Sequence, residues 1–133
     1  MAAFEKSSDA VRAAIAMRKE IARFNELRQR QDIVLKIGIH CGPAIAVTLN
    51  ERLDYFGRTV NVAARIQNRA CGDEICLSKD VHDAPDVEQL LTPYLAAREQ
   101  IFLKGIDREV TIFRMGIATC ANDDQMERSY VEN

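Results

Sequence analysis

The feature that most narrows the fold of this chain is a change of hydrophobic period. Val11, Ala14, Met17, Ile21, Phe24 and Leu27 recur at steps of three or four, the spacing of one helix face. Leu35, Ile37 and Ile39 then alternate with Lys36, Gly38 and His40, the spacing of a strand with one buried side. Both periods in succession call for a mixed α and β architecture, in which a helix lays its apolar stripe on a sheet.

The remaining elements follow from turn signals. Ser7, Ser8 and Asp9 are candidate N-caps for the first helix. The charged residues Arg12, Arg18, Lys19, Arg23, Arg28 and Arg30 on its other side read as a solvated face. Cys41-Gly42-Pro43 interrupts the strand, and 44–49 reads as a strand returning from it. A short apolar and aromatic piece, 53–56, leads through Gly57 into a helix over 59–70, which Gly72 ends. A strand is expected over 74–78, a weak helical region interrupted by Pro85 and Pro93 over 79–94, and a hairpin of 100–104 and 110–115 around Gly105. Residues 1–115 are read as one domain and 116–133 as a polar C-terminal tail. Met1 to Phe4 opens without a cap or turn signal and reads as the end of a strand.

Composition limits what such a domain can do. The chain has 133 residues, enough for one domain, and its 18 basic and 20 acidic residues give a formal net charge of -2. That balance supplies no basic field for nucleic acid or an anionic membrane surface, so neither is expected as a partner. No apolar run approaches the ~20 residues that span a bilayer, and no basic-then-apolar signal opens the chain, so a cytoplasmic location is expected. Cys41, Cys71, Cys76 and Cys120 lack CxxC spacing and only two histidines are present, so the cysteines read as reduced, mostly buried thiols and no metal site is assigned within this chain.

One constellation carries chemistry. Asn61 and Arg65 are four residues apart on the second helix and share a face, while Val62, Ile66 and Ala70 form the neighbouring stripe that anchors it. Asp54 lies seven residues before Asn61, on the strand-like piece that enters the helix through Gly57. A carboxylate, an amide and a guanidinium can thus meet at one cleft; the lesser alternative is that Asp54 merely caps the turn before the helix.

The segment from Asp54 to Arg65, DYFGRTVNVAAR, resembles the signature of the class III nucleotidyl cyclases, the adenylate and guanylate cyclase catalytic domain. Ile37-Gly38-Ile39-His40-Cys41-Gly42-Pro43 upstream resembles the family's glycine-bounded strand end, and Leu103-Lys104-Gly105-Ile106 downstream resembles its lysine-bearing motif. The resemblance covers about residues 1 to 115. It implies an α+β fold, a ferredoxin-like α/β sandwich of the nucleotidyl cyclase type, here lacking its first strands.

The implied activity is attack of a ribose 3'-hydroxyl on the α-phosphorus of a nucleoside triphosphate, with loss of pyrophosphate. By resemblance Arg65 stabilises charge on the α-phosphate, Asn61 orients the ribose and Lys104 holds the terminal phosphates. Asp54 is placed at the purine, where a carboxylate accepts from the exocyclic amine of adenine and repels the carbonyl of guanine, so ATP is the expected substrate. The family's two metal-binding aspartates and the lysine that partners the purine aspartate would all lie before Met1. The Mg²⁺ or Mn²⁺ ions are therefore expected to be held by upstream residues or a partner subunit. The chain would supply half of a site completed by a homodimer or another cyclase domain, and would be inactive alone.

Two other readings stand beside this one. The chain could be a catalytically silent cyclase homologue that binds nucleotide or heterodimerises as a regulatory module. A ferredoxin-like RNA-binding domain is disfavoured by the near-neutral charge and the lack of an aromatic sheet motif. His40 reads as a structural strand-end histidine rather than a general base, and Gly38 and Gly42 as sites of close packing and turning. Arg58 stands where the family commonly has Asp or Asn.

Overall fold

A computed structural model describes residues 1–30, 33–94, 96–103, 105 and 109–115. The elements run α1 (Ser7–Leu27), β1 (Lys36–Ile39), β2 (Ile45–Leu49), β3 (Arg52–Phe56), α2 (Arg58–Asn68), β4 (Glu74–Ser78), α3 (Lys79–His82), α4 (Val87–Leu91), β5 (Ala96–Phe102) and β6 (Glu109–Met115). Both α and β elements are present in the order their hydrophobic periods imply.

Four strands form a mixed sheet in the order β1-β4-β6-β5. β1 runs parallel to β4, and β6 is antiparallel to both β4 and β5. The parallel pair requires a crossover, and α2 provides it. Alternation along the strands then splits the core in two. Ile75, Leu77 and Met115 face α1, α3 and α4 and pack with Val11, Ala14, Val81, Val87 and Leu91. Cys76, Ile101, Leu103 and Ile112 face the other way and pack with Val62 and Ile66 of α2 and with Ala70 beyond it. Helices thus cover both faces of the sheet, the mixed α+β arrangement expected from the sequence.

The depth at which α2 sits is set by Gly38. A Cβ there would lie 2.3 Å from the backbone nitrogen of Gln67 and 2.6 Å from the carbonyl oxygen of Ala63, distances that no side chain tolerates. The helix backbone rests directly on β1, and Gln67 Nε2 donates to the Lys36 carbonyl at 3.2 Å.

β2 and β3 form a separate antiparallel ribbon closed by Asn50 and Glu51, both at positive φ (52° and 62°), the geometry of a two-residue type I′ turn. Ile45, Leu49, Leu53 and Phe56 on this ribbon are all exposed.

Several expectations need correction. Ser7 is already helical and Lys6 occupies the N-cap without a side-chain cap bond, so none of Ser7, Ser8 or Asp9 caps α1. The α1 stripe is only partly covered: Val11 and Ala14 are buried, but Met17, Phe24 and Leu27 are exposed because the sheet meets only part of this 21-residue helix. Arg18 does not belong to a fully solvated face. It is half-buried, donates to the Met115 carbonyl at 3.4 Å and lies over the Tyr94 ring. Met1 to Phe4 forms no strand, since no strand pairs with it. α2 ends at Asn68, four residues before Gly72, and β5 starts at Ala96 rather than at 100. Lys104, Cys120 and the tail from 116 lie outside the described residues.

Candidate active site on helix α2

The geometry of this site begins at Gly57, whose φ of 128° and ψ of -179° belong to a region that only glycine occupies easily. No atom lies where its Cβ would point, so the backbone turn and not crowding demands glycine. That turn joins the β2–β3 ribbon to α2 and starts the helix at Arg58, and the Asn61 N–H donates to the Gly57 carbonyl at 3.2 Å. Within α2, Val62 and Ile66 point into the core, which leaves Asn61 exposed and Arg65 half-buried at the margin of the packed stripe.

Arg65 reaches the loop that follows β5. A Cβ on Gly105 would lie 3.2 Å from Arg65 Nη1, 3.3 Å from Nη2 and 3.5 Å from Cζ, so the guanidinium lies beside this glycine, which has φ 85°. Nη1 is buried and has no hydrogen-bond partner among the described residues. A buried guanidinium nitrogen without an acceptor is a costly feature unless a ligand completes it.

Asp54 stands on β3, opposite Val47 of β2. It is exposed, and its carboxylate accepts the N–H of Tyr55 at 2.9 Å. Among the described residues no hydrogen bond or ion pair joins it to Asn61 or Arg65. The structure therefore places Asn61 near the start of α2 and Arg65 in its last turn, with Gly105 of the β5–β6 loop beside the Arg65 guanidinium, and puts Asp54 on the adjoining ribbon. Among the described residues, no group of three or more His, Cys, Asp or Glu is arranged to hold a metal ion.

A cleft of about 700 Å³ opens where β1 and β4 end and α2 begins, with Arg58, Thr59, Lys79, Asp80 and Glu109 among its lining residues. His40 sits in it with Nδ1 2.8 Å from Ser78 Oγ. Burial pushes the His40 pKa below its usual value, and Asp80 opposes that shift. Sequence reasoning missed Arg114, which is 5% exposed on β6 and paired with two buried carboxylates. Its signal was an arginine two residues after Ile112, on the face of a strand that otherwise packs against α2.

The family model for the adenylate and guanylate cyclase catalytic domain matches residues 2–116. This chain belongs to that family. Among curated relatives, the human guanylate cyclase soluble subunit beta-2 is 28% identical over 102 residues, 74% of this chain and 16% of the relative. Among solved structures, this cyclase domain superposes on the adenylyl cyclase CyaB of P. aeruginosa with a TM-score of 0.61 and 26% identity, covering 84% of this chain and 59% of that one. It superposes on the adenylate/guanylate cyclase/hydrolase of Silicibacter pomeroyi with a TM-score of 0.67 and 25% identity, covering 86% and 65%. The chain thus spans less than two thirds of each of these proteins. Both adenylate and guanylate cyclases stand among the relatives. No helix among the described residues is long and apolar enough to cross a membrane.

Proposed function

We propose that this chain supplies the purine-, ribose- and transition-state-binding half of a dimer-interface site that converts ATP to cyclic AMP and pyrophosphate in the cytoplasm. The observation that carries this reading is the Arg65 guanidinium, held against Gly105 with a buried nitrogen that has no acceptor among the described residues. In the reaction the ribose 3'-oxygen bonds to the α-phosphorus, the bond to the β-phosphate bridging oxygen breaks with its electrons leaving on pyrophosphate, and the hydroxyl proton passes to solvent. Negative charge grows on the α-phosphate oxygens, and a guanidinium fixed in place beforehand stabilises it without reorganising. Asn61, one turn earlier on α2, orients the ribose. Lys104, next to Gly105 in sequence, is assigned to the terminal phosphates.

Asp54 is assigned to the base. Its exposure on the ribbon supports a site that a second subunit covers, as do the exposed Ile45, Leu49, Leu53 and Phe56 around it. A two-stranded ribbon with this much uncovered apolar surface is marginal by itself. The partner is a second copy or another cyclase domain, and it or residues beyond this chain supply the ligands for Mg²⁺ or Mn²⁺. When bound, those ions neutralise charge on the phosphates.

The test is a mixture of this chain with a cyclase domain that keeps its metal aspartates but lacks its own arginine. Cyclic AMP formed from ATP by the mixture, and by neither protein alone, supports the half-site. Cyclic GMP from GTP in its place would reassign Asp54. Silence from a folded, associated pair counts against the reading.

A further inference from the structure

The C-terminal end of α2 meets a buried charge cluster that the cyclase reading does not use. Arg114 lies on β6 opposite Cys76 of β4 and Ala97 of β5. Its Nε donates to Glu99 Oε2 at 2.7 Å, its Nη1 to Glu74 Oε1 at 2.5 Å, and its Nη2 to the backbone carbonyl of Arg69. Glu74 is 3% exposed and Glu99 9%. Glu74 also accepts the Cys71 N–H at 3.3 Å, and Arg69 Nη2 lies 3.4 Å from Glu99 Oε1. Two guanidinium and two carboxylate groups therefore meet beneath the point where α2 stops.

The Arg69 carbonyl is one of those that a helix leaves without an intrahelical partner at its C-terminus. Here a side chain from the sheet satisfies it. Val62 and Ile66 already hold α2 to the sheet through apolar contact, and apolar contact is non-directional. A buried ion cluster adds little net stability over apolar residues of the same volume, but its hydrogen bonds have fixed directions. Arg69 is four residues, about one turn, beyond Arg65.

We propose that Arg114 is a positioning residue for the cyclase half-site: by fixing the last turn of α2 to β4, β5 and β6, it sets where the Arg65 guanidinium stands against Gly105. This rests on the role given to Arg65 above. Arg114 touches no reacting atom. It acts through the Arg69 carbonyl and the helix.

Removing Arg114 alone would leave two buried carboxylates facing each other, so the decisive variant also neutralises them: Arg114→Met combined with Glu74→Gln and Glu99→Gln. The second variant, Arg114→Lys, keeps a charge but loses the fork that reaches three acceptors at once. Amide hydrogen exchange in the last turn of α2 is measured on the chain, and kcat and KM for cyclic nucleotide formation are measured with the arginine-deficient partner. The triple variant is expected to exchange about tenfold faster in that turn than the wild type and to lose about tenfold or more in kcat with little change in KM, and the lysine variant to fall between. Wild-type exchange and kcat in both folded variants would overturn the proposal, as would a loss confined to KM. If the triple variant does not fold, Arg114→Lys decides by the same two measurements. If the wild-type chain gives no product with the partner, the cyclase reading falls, and hydrogen exchange alone still decides whether Arg114 holds α2.

Discussion

The guanidinium of Arg65 lies against the backbone of Gly105, so close that a methyl group at that position would stand 3.2 Å from Nη1. An arginine on a helix and a glycine on the β5–β6 loop are thereby held in one arrangement, and the glycine φ of 85° is one that other residues adopt only at a cost. Gly105→Ala is expected to cost about 1–2 kcal/mol in backbone strain and to displace the guanidinium. Activity with a complementing partner should fall well beyond what the loss of stability explains. A variant with wild-type rate and melting temperature would show that the contact positions nothing.

Gly38 carries a stronger demand. Its missing Cβ leaves room for the backbone of α2 at Ala63 and Gln67, and backbone cannot step aside as a flexible side chain can. Gly38→Ala should destabilise the fold by about 1–3 kcal/mol or more, as overpacking does. The denaturant midpoint reads this directly, and an unchanged midpoint contradicts the packing described.

His40 links stability to pH. Burial lowers its pKa from 6.5, so folding favours the neutral ring. For a base with a depressed folded pKa, the contribution is complete above the unfolded value and is lost as pH falls through the folded one. Urea midpoints measured between roughly pH 8 and pH 5 should therefore drop more steeply for the wild type than for His40→Asn. Parallel curves would remove His40 from the account.

Cys76 is fully buried on β4, and burial together with the neighbouring Glu74 carboxylate pushes its thiol far above the usual cysteine range. Cys41 is half-buried near the mouth of the cleft. Of these two, iodoacetamide applied to the folded chain should modify Cys41 before Cys76 and reach Cys76 only on unfolding, as peptide mass mapping will show. Equal labelling of the two in the native state is the contrary result.

Much of this architecture is legible in the residues. The switch of period after α1, the alternation along β1 and β4 and the apolar runs around Gly105 locate most elements, because each pattern is local. The spacing of Asn61 and Arg65 puts them on one helix face for the same reason. What escapes depends on distant partners. The Met17, Phe24 and Leu27 part of the α1 stripe has the helical period but stays exposed, since period alone does not say how far the sheet extends beneath a helix. The turn at Asn50 and Glu51 carries two positive φ values without a glycine to announce them. Arg114 meets Glu99 across 15 residues and Glu74 across 40, a pairing that only the strand order creates.

The central claim is that Arg65 acts on the reacting phosphate, and one rate comparison addresses it most directly. Cyclic AMP formation is measured for the arginine-deficient partner mixed with the wild-type chain and with Arg65→Ala, each pair confirmed to be folded and associated. The account predicts a fall of ~10² to 10³ in kcat, the usual cost of removing one such donor. Equal rates in the two mixtures would contradict it.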